Sequence, residues 1–233
     1  MPDISVACLD MAGTTVADDG SVMAAFTAAV AEFGLVPGAS GYEDVMTYVR
    51  DTMGQSKIEV FRYILGSEER ASRGNQVFEQ RYADSLQAGL VKPLPGATET
   101  ITALRAAGVK VCLTTGFSAA TRDALLDALG WRPLIDLALS PADAGRGRPW
   151  PDMPLTALLH LGGGAVSELA VVGDTPSDIE SGLRAGAGLV AGVTTGASSA
   201  EDLAAAGAPH VLDSVTGVLQ LVGLASENAE TLR

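Results

Sequence analysis

Basic residues are scarce in this chain: 15 Lys and Arg stand against 28 Asp and Glu, giving a formal net charge of −13 and a pI near 4.4. That balance argues against a nucleic-acid surface, because phosphate backbones are held by clustered Lys and Arg. Cysteine is nearly absent, with only Cys8 and Cys112. Both sit inside apolar segments rather than at metal-ligand spacing, so buried, reduced thiols are expected and a zinc site or disulfide is not. No apolar run reaches the roughly 18 residues needed to span a membrane. The opening "MPDIS" has neither the basic nor the apolar region of a signal peptide. A soluble, cytoplasmic protein with no membrane or nucleic-acid partner is the expectation. Repeats and low-complexity tracts are absent too.

What the chain does have is length and apolar content: 233 residues, 47% hydrophobic, enough to bury a real core. Short apolar runs alternate with helical patterns, the signature of a parallel sheet wrapped by helices. Strands are expected at "ISVACLD" (4–10), "VKVCLTT" (109–115), "LIDLALS" (134–140), "ELAVVGD" (168–174), "GLVAGVTT" (188–195) and "HVLD" (210–213). Each is near-continuously apolar, as strands covered on both faces should be. Helices such as 97–107 and 118–129 lie between them, short enough for right-handed crossovers.

One region breaks the alternation. From about Ser21 to Lys92 only helical periodicity is found, and the exit is punctuated by Pro93, Pro95 and Gly96. The expected architecture is therefore a Rossmann-like α/β core, 1–20 and 93–233, with an α-helical cap, 21–92, inserted after the first strand.

In open α/β sheets, ligands bind beyond the carboxyl ends of the strands. Four such ends carry polar groups: Asp10; Thr114 and Thr115; Arg148 in "GRGRPWP"; and Asp174 with Asp178 in "VVGDTPSDIESGLRAG". Thr175 can cap a helix with Pro176 at its first position, leaving Asp178 in the opening turn beside Asp174. These carboxylates with Asp10 are hard oxygen ligands suited to Mg²⁺, which binds few protein carboxylates and keeps phosphate oxygens. The threonine hydroxyls and Arg148 can donate to phosphate. Taken singly, each residue is as well explained as a turn former, a strand end or a solvated cation. Their ordered combination is what points to chemistry.

That combination resembles the haloacid dehalogenase superfamily, whose pattern is Asp-x-Asp-x-Thr at a strand end, a later Ser/Thr, a Lys/Arg, and a Gly-Asp-x-x-x-Asp pair. The resemblance covers essentially the whole chain. It implies Asp10 as the nucleophile that forms an aspartyl-phosphate, with Arg148 neutralising the transferring group. It implies Mg²⁺ held by Asp10, the Ala12 carbonyl, Asp174 and Asp178. Thr14 would orient the loop, and Gly13 would let the backbone approach phosphate closely.

In "VACLDMAGTTVADDG", however, Ala12 stands where phosphatases and mutases of the superfamily carry a second Asp, which protonates the leaving oxygen and activates water. Alanine can do neither, so plain phosphomonoester hydrolysis is disfavoured. "DMAGTTV", "MG-x-x-K", "TTGF", "GRPWP" and "VGDTPSD" together look like the phosphonoacetaldehyde hydrolase, or phosphonatase, family. By that resemblance Lys57, at the start of a helix in the cap, forms a protonated Schiff base with the substrate aldehyde. The imine acts as an electron sink, so the C–P bond can break as Asp10 takes the phosphoryl group. The binding set implied is Ala12, Gly13, Thr14, Met53, Gly54, Thr114, Thr115 and Gly116. A homodimer through the cap is permitted by the same resemblance.

Two positions depart from that family. Val60 stands where it carries a histidine three residues beyond the lysine, and Ser21, allowing a one-residue shift, where it carries a cysteine. His160 and His210 both lie outside the cap. The expected substrate is accordingly phosphonoacetaldehyde or an analogue. Rival readings are a phosphatase of the same fold and a non-catalytic module that binds a phosphorylated metabolite. A dinucleotide enzyme is poorly supported: "GGGAV" (162–166) follows a helix and precedes a strand, the order of a helix exit rather than a phosphate loop.

Overall fold

The computed structural model describes residues 3–224. Strands form at every place where the apolar runs predict them. In chain order they are β1 (Val6–Asp10), β2 (Val16–Ala17), β3 (Lys92–Pro93), β4 (Lys110–Thr114), β5 (Leu137–Leu139), β6 (Leu169–Gly173), β7 (Leu189–Val193) and β8 (His210–Leu212). Six of them make a parallel sheet in the order β5-β4-β1-β6-β7-β8. Every residue of β1 is buried, and the strand alternates: Ala7 and Leu9 join one apolar cluster, Val6 and Cys8 the other. A period of two between two covered faces is what makes the strand read as a continuous apolar run. Cys8 and Cys112 lie opposite each other on β1 and β4, both as free, buried thiols.

β2 and β3 form a separate antiparallel ladder, Val16 opposite Pro93 and Ala17 opposite Lys92. The sequence did not signal it: two residues per strand, with Lys92 and Pro93 exposed, show no alternation, and proline is admitted because the ladder is all edge. Between these strands the described residues are helical: α1 (Ser21–Ala31), α2 (Tyr42–Asp51), α3 (Lys57–Leu65) and α4 (Glu68–Gln87). Beyond them come α5 (Ala97–Ala106), α6 (Ala119–Leu129), α7 (Pro141–Ala144), α8 (Asp152–His160), α9 (Pro176–Ala185), α10 (Ala200–Ala205) and α11 (Val218–Leu221). The glycines at 162–164 follow α8 and lead through a turn to β6, a helix exit as expected.

Four of the chain's five phenylalanines gather where the inserted helices meet the sheet. Phe26 of α1 packs on Phe61 of α3 and Phe78 of α4, with ring centroids 5.1 and 4.8 Å apart. Phe117, from the loop after β4, enters the same cluster against Tyr82 at 4.5 Å. Aromatic pairs bury large areas with defined geometry, so this cluster fixes how the helices sit over the β4 loop. None of the described helices is long and apolar enough to cross a membrane.

Candidate active site

The sheet order reverses about β1, which is flanked by β4 on one side and β6 on the other, and the ends of these strands converge. Asp10 is the last residue of β1, paired in register with Thr114 at the end of β4. Asp174 follows β6 directly. Thr175 caps α9 as predicted, with Pro176 in its first turn, and its hydroxyl accepts from the Asp178 N–H while Asp178 Oδ2 accepts from the Thr175 N–H. This capping box anchors Asp178 in the first turn. Asp10, Asp174 and Asp178 each offer a carboxylate oxygen within 4.8 Å of the others.

Arg148 binds this group together. It is 5% exposed, with Nη1 2.6 Å from Asp10 Oδ1 and Nε 2.8 Å from Asp178 Oδ1. Its Nη2 donates to Thr114 Oγ1 at 2.6 Å and its Nη1 to the Gly54 carbonyl at 3.3 Å. The planar fork thus serves two carboxylates, a core threonine and the inserted helical region at once, which a lysine's point charge could not.

Asp174 is held from two sides. Thr14 donates to Oδ1 at 3.1 Å and the Ala197 N–H to Oδ2 at 2.7 Å. Gly13, with φ near +89°, approaches so closely that a Cβ there would lie 2.5 Å from Asp174 Oδ2, so only glycine fits. The loop after β7 also reaches Gly13, through Thr195 Oγ1 donating to its carbonyl at 2.7 Å. This loop escaped the sequence reading, although "GVTTGA" is a strand end followed by threonine and glycine like those singled out.

Burial pushes the Asp10 carboxyl well above its ordinary value; Arg148 opposes that, and Asp178 and Asp174 add to it. Asp174 is pushed up to about 7 by burial and then by Asp178. Three buried carboxylates lie around one guanidinium, which pairs directly with Asp10 and Asp178, so ionising all three would leave excess negative charge in a site of low dielectric. A divalent cation with oxygen preference fits that charge and donor set.

Lys57 is the first residue of α3 and only 6% exposed. Its Nζ donates to the Gln55 carbonyl at 3.4 Å and lies 5.8 and 5.4 Å from the Phe26 and Phe117 ring centroids. Burial lowers its pKa to about 8, against the pull of Asp10. An amine in this state reaches its neutral, nucleophilic form near neutral pH.

A cavity of about 430 Å³ connects these groups. Of the residues singled out from sequence, Asp10, Ala12, Gly13, Met53, Gly54, Lys57, Thr115, Gly116, Arg148 and Asp174 line it. Thr14, Thr114 and Asp178 are not in the wall; they hold Asp174 and Arg148 in place from behind. Val60 and Ser21 do not line it either. Asp18 and Arg50 do, and the sequence reading gave neither a role.

Comparison with known proteins gives four matches of note. Residues 4–186 match the family model described as haloacid dehalogenase-like hydrolase. A phosphonoacetaldehyde hydrolase of Syntrophobacter fumaroxidans is 30% identical over 201 residues, covering 78% of this chain and 70% of the relative. A protein of Dickeya dadantii described as "Probable phosphatase IndB" is 29% identical, covering 90% of each. Among solved structures, a phosphonoacetaldehyde hydrolase like protein from Oleispira antarctica superimposes with a TM-score of 0.80 at 26% identity, covering 95% of this chain and 92% of the other.

Proposed function

The chain belongs to the haloacid dehalogenase-like hydrolases, and from that premise we propose that it cleaves the C–P bond of a small phosphonate aldehyde, phosphonoacetaldehyde or an analogue. The observation that carries this reading is one cavity lined by a carboxylate, Asp10, and a buried amine of lowered pKa, Lys57, with alanine at position 12 where an acid would serve an ester leaving group. A neutral Lys57 condenses with the aldehyde, and the resulting iminium draws electrons from the breaking C–P bond as Asp10 accepts the phosphoryl group. Arg148, bonded to Asp10, orients the nucleophile and lies ready to meet the phosphoryl oxygens. Mg²⁺ would be held by Asp10, the Ala12 carbonyl, Asp174 and Asp178, and would supply charge neutralisation at the transferring group.

A second reading, hydrolysis of a small phosphate monoester, is favoured by the extensive match to the Dickeya dadantii relative. It retains Asp10, Arg148 and Asp174 but requires an acid from elsewhere than position 12. Incubation with phosphonoacetaldehyde and Mg²⁺, followed for inorganic phosphate and acetaldehyde, separates the two. Product supports the first reading; phosphate from monoesters alone supports the second. Asp10→Asn abolishes turnover in either case, and retained activity would point to another nucleophile. Lack of turnover on both substrate classes would favour a binding module.

A further inference from the structure

The imine chemistry needs a proton carrier, and the two positions where one would be sought hold apolar residues. Val60 is buried in the apolar core at 1% exposure, and Ala12 carries no acid. Four carboxyls line the cavity: Asp10, Asp18, Asp19 and Asp174. Asp10 and Asp174 are engaged with Arg148, Thr14 and the Ala197 N–H, and Asp19 is exposed. Asp18 is left, half-buried, with Oδ1 accepting the Val22 N–H at 2.9 Å, which fixes the carboxyl at the start of α1.

Resting on the phosphonatase reading, we infer that Asp18 is the proton-transfer residue of the imine steps, taking a proton from the Lys57 ammonium and returning it to the departing hydroxyl. The exchange balances. Lys57–NH₃⁺ and Asp18–COO⁻ become amine and carboxylic acid. The amine adds to the carbonyl carbon, and one N–H proton moves to the former carbonyl oxygen, giving a neutral carbinolamine. Asp18–COOH then protonates that hydroxyl, the C–O bond breaks, and water leaves an iminium facing Asp18–COO⁻. After C–P cleavage and protonation of the enamine carbon from solvent, the same carboxylate takes a proton from the water that attacks the product iminium.

The surroundings suit this. Burial raises the Asp18 carboxyl from its ordinary value while the Val22 N–H and Lys57 oppose the rise, and burial lowers Lys57, so the two proton affinities are shifted toward each other. The charged and titratable groups around it are Asp19 beside it, Lys57 on α3, Tyr82 on α4, Arg50 on α2, and Asp10, Asp174 and Arg148 across the cavity. The Tyr82 hydroxyl is buried with no hydrogen-bond partner among the described residues, and its pKa is raised by burial and by the charges of Asp18 and Asp10.

Asp18→Asn tests the assignment because its amide oxygen can still accept the Val22 N–H but cannot exchange the proton. With phosphonoacetaldehyde and Mg²⁺, kcat for phosphate release falls about 100-fold with little change in KM. Borohydride-trapped adduct on Lys57 forms more slowly in step. The residual rate climbs with pH as solvent, in place of Asp18, deprotonates Lys57. Should the variant not fold, Asp18→Ser, which also keeps a capping oxygen, carries the same comparison. Wild-type kcat in the variant, or a lowered kcat with an unaltered pH profile, overturns the role of Asp18 alone. A wild-type enzyme that releases no phosphate and traps no adduct overturns the phosphonatase reading and this step with it.

Discussion

The backbone N–H of Lys57 donates to the carbonyl of Gly116 at 3.1 Å, tying the residue that carries the amine to the loop after β4. The position of Lys57 over the sheet is therefore constrained by a main-chain bond across the seam between the inserted helices and the sheet. Gly116 permits the contact: a Cβ there would fall 2.2 Å from the Gln55 carbonyl oxygen. Gly116→Ala forces the seam apart, and with Lys57 and Asp10 displaced by even an ångström, kcat/KM drops about 100-fold. Steady-state kinetics on phosphonoacetaldehyde reads this, and an unchanged kcat/KM would show that the seam does not set the reacting distance.

Lys57 also carries a stability cost that its removal relieves. Its folded pKa, about 8, lies below the unfolded value of 10.5, so the native state binds fewer protons there. The cost is fully present below about pH 8 and disappears as pH rises toward 10.5. Lys57→Met is expected to unfold about 3 kcal/mol harder than wild type at pH 7, with the difference closing near pH 10.5, while borohydride trapping is lost. Urea unfolding at the two pH values measures it.

Removing the other cation has the opposite sign. Arg148→Met leaves Asp10 and Asp178 buried without their partner and costs about 3–5 kcal/mol. Arg148→Lys recovers only part, because one ammonium cannot reproduce bonds to Asp10, Asp178 and Thr114 together. Urea midpoints of the two variants order the three proteins, and a lysine variant equal to wild type would deny the forked geometry its importance.

Mg²⁺ bound as proposed would compete with protons for the same carboxylates. With Asp174 raised to about 7, metal binding at acid pH must first displace a proton. The increase in Tm on adding Mg²⁺ is expected to be small near pH 5 and to grow as pH rises through about 7. Thermal scans with Mg²⁺ and with a chelator across that range check it; a metal effect independent of pH would place the ion away from Asp174.

The strands and the residues at their ends were legible because both follow local rules. An apolar run covered on two faces must be a buried strand, and polar residues at its carboxyl end face the crevice. Asp10, Thr114 and Asp174 were found that way; Arg148, placed by the same reasoning after the third strand, lies in the loop beyond α7 rather than at the end of β5. Thr175 and Asp178 were found from helix-capping chemistry, which spans only four residues. What stayed hidden depends on contacts between distant segments. Asp18 reads as one of two adjacent loop acids, and only the folded cavity distinguishes the half-buried Asp18 from the exposed Asp19. Tyr82 is one position on a twenty-residue helix until its ring meets Phe117. The placement of Val60 in the core could not be read from its spacing to Lys57, which fixes a helix face but not what that face meets.

The small β2–β3 ladder brings the entry and exit of the α1–α4 insertion side by side, Ala17 opposite Lys92. A segment whose two ends are already neighbours can be exchanged for another of different length without altering the register of the parallel sheet. The Asp10, Asp174 and Asp178 carboxylates and the Lys57 amine are thus on separately replaceable parts of the chain. Evolution, or a protein engineer, could change what the molecule recognises by grafting at that one two-residue junction.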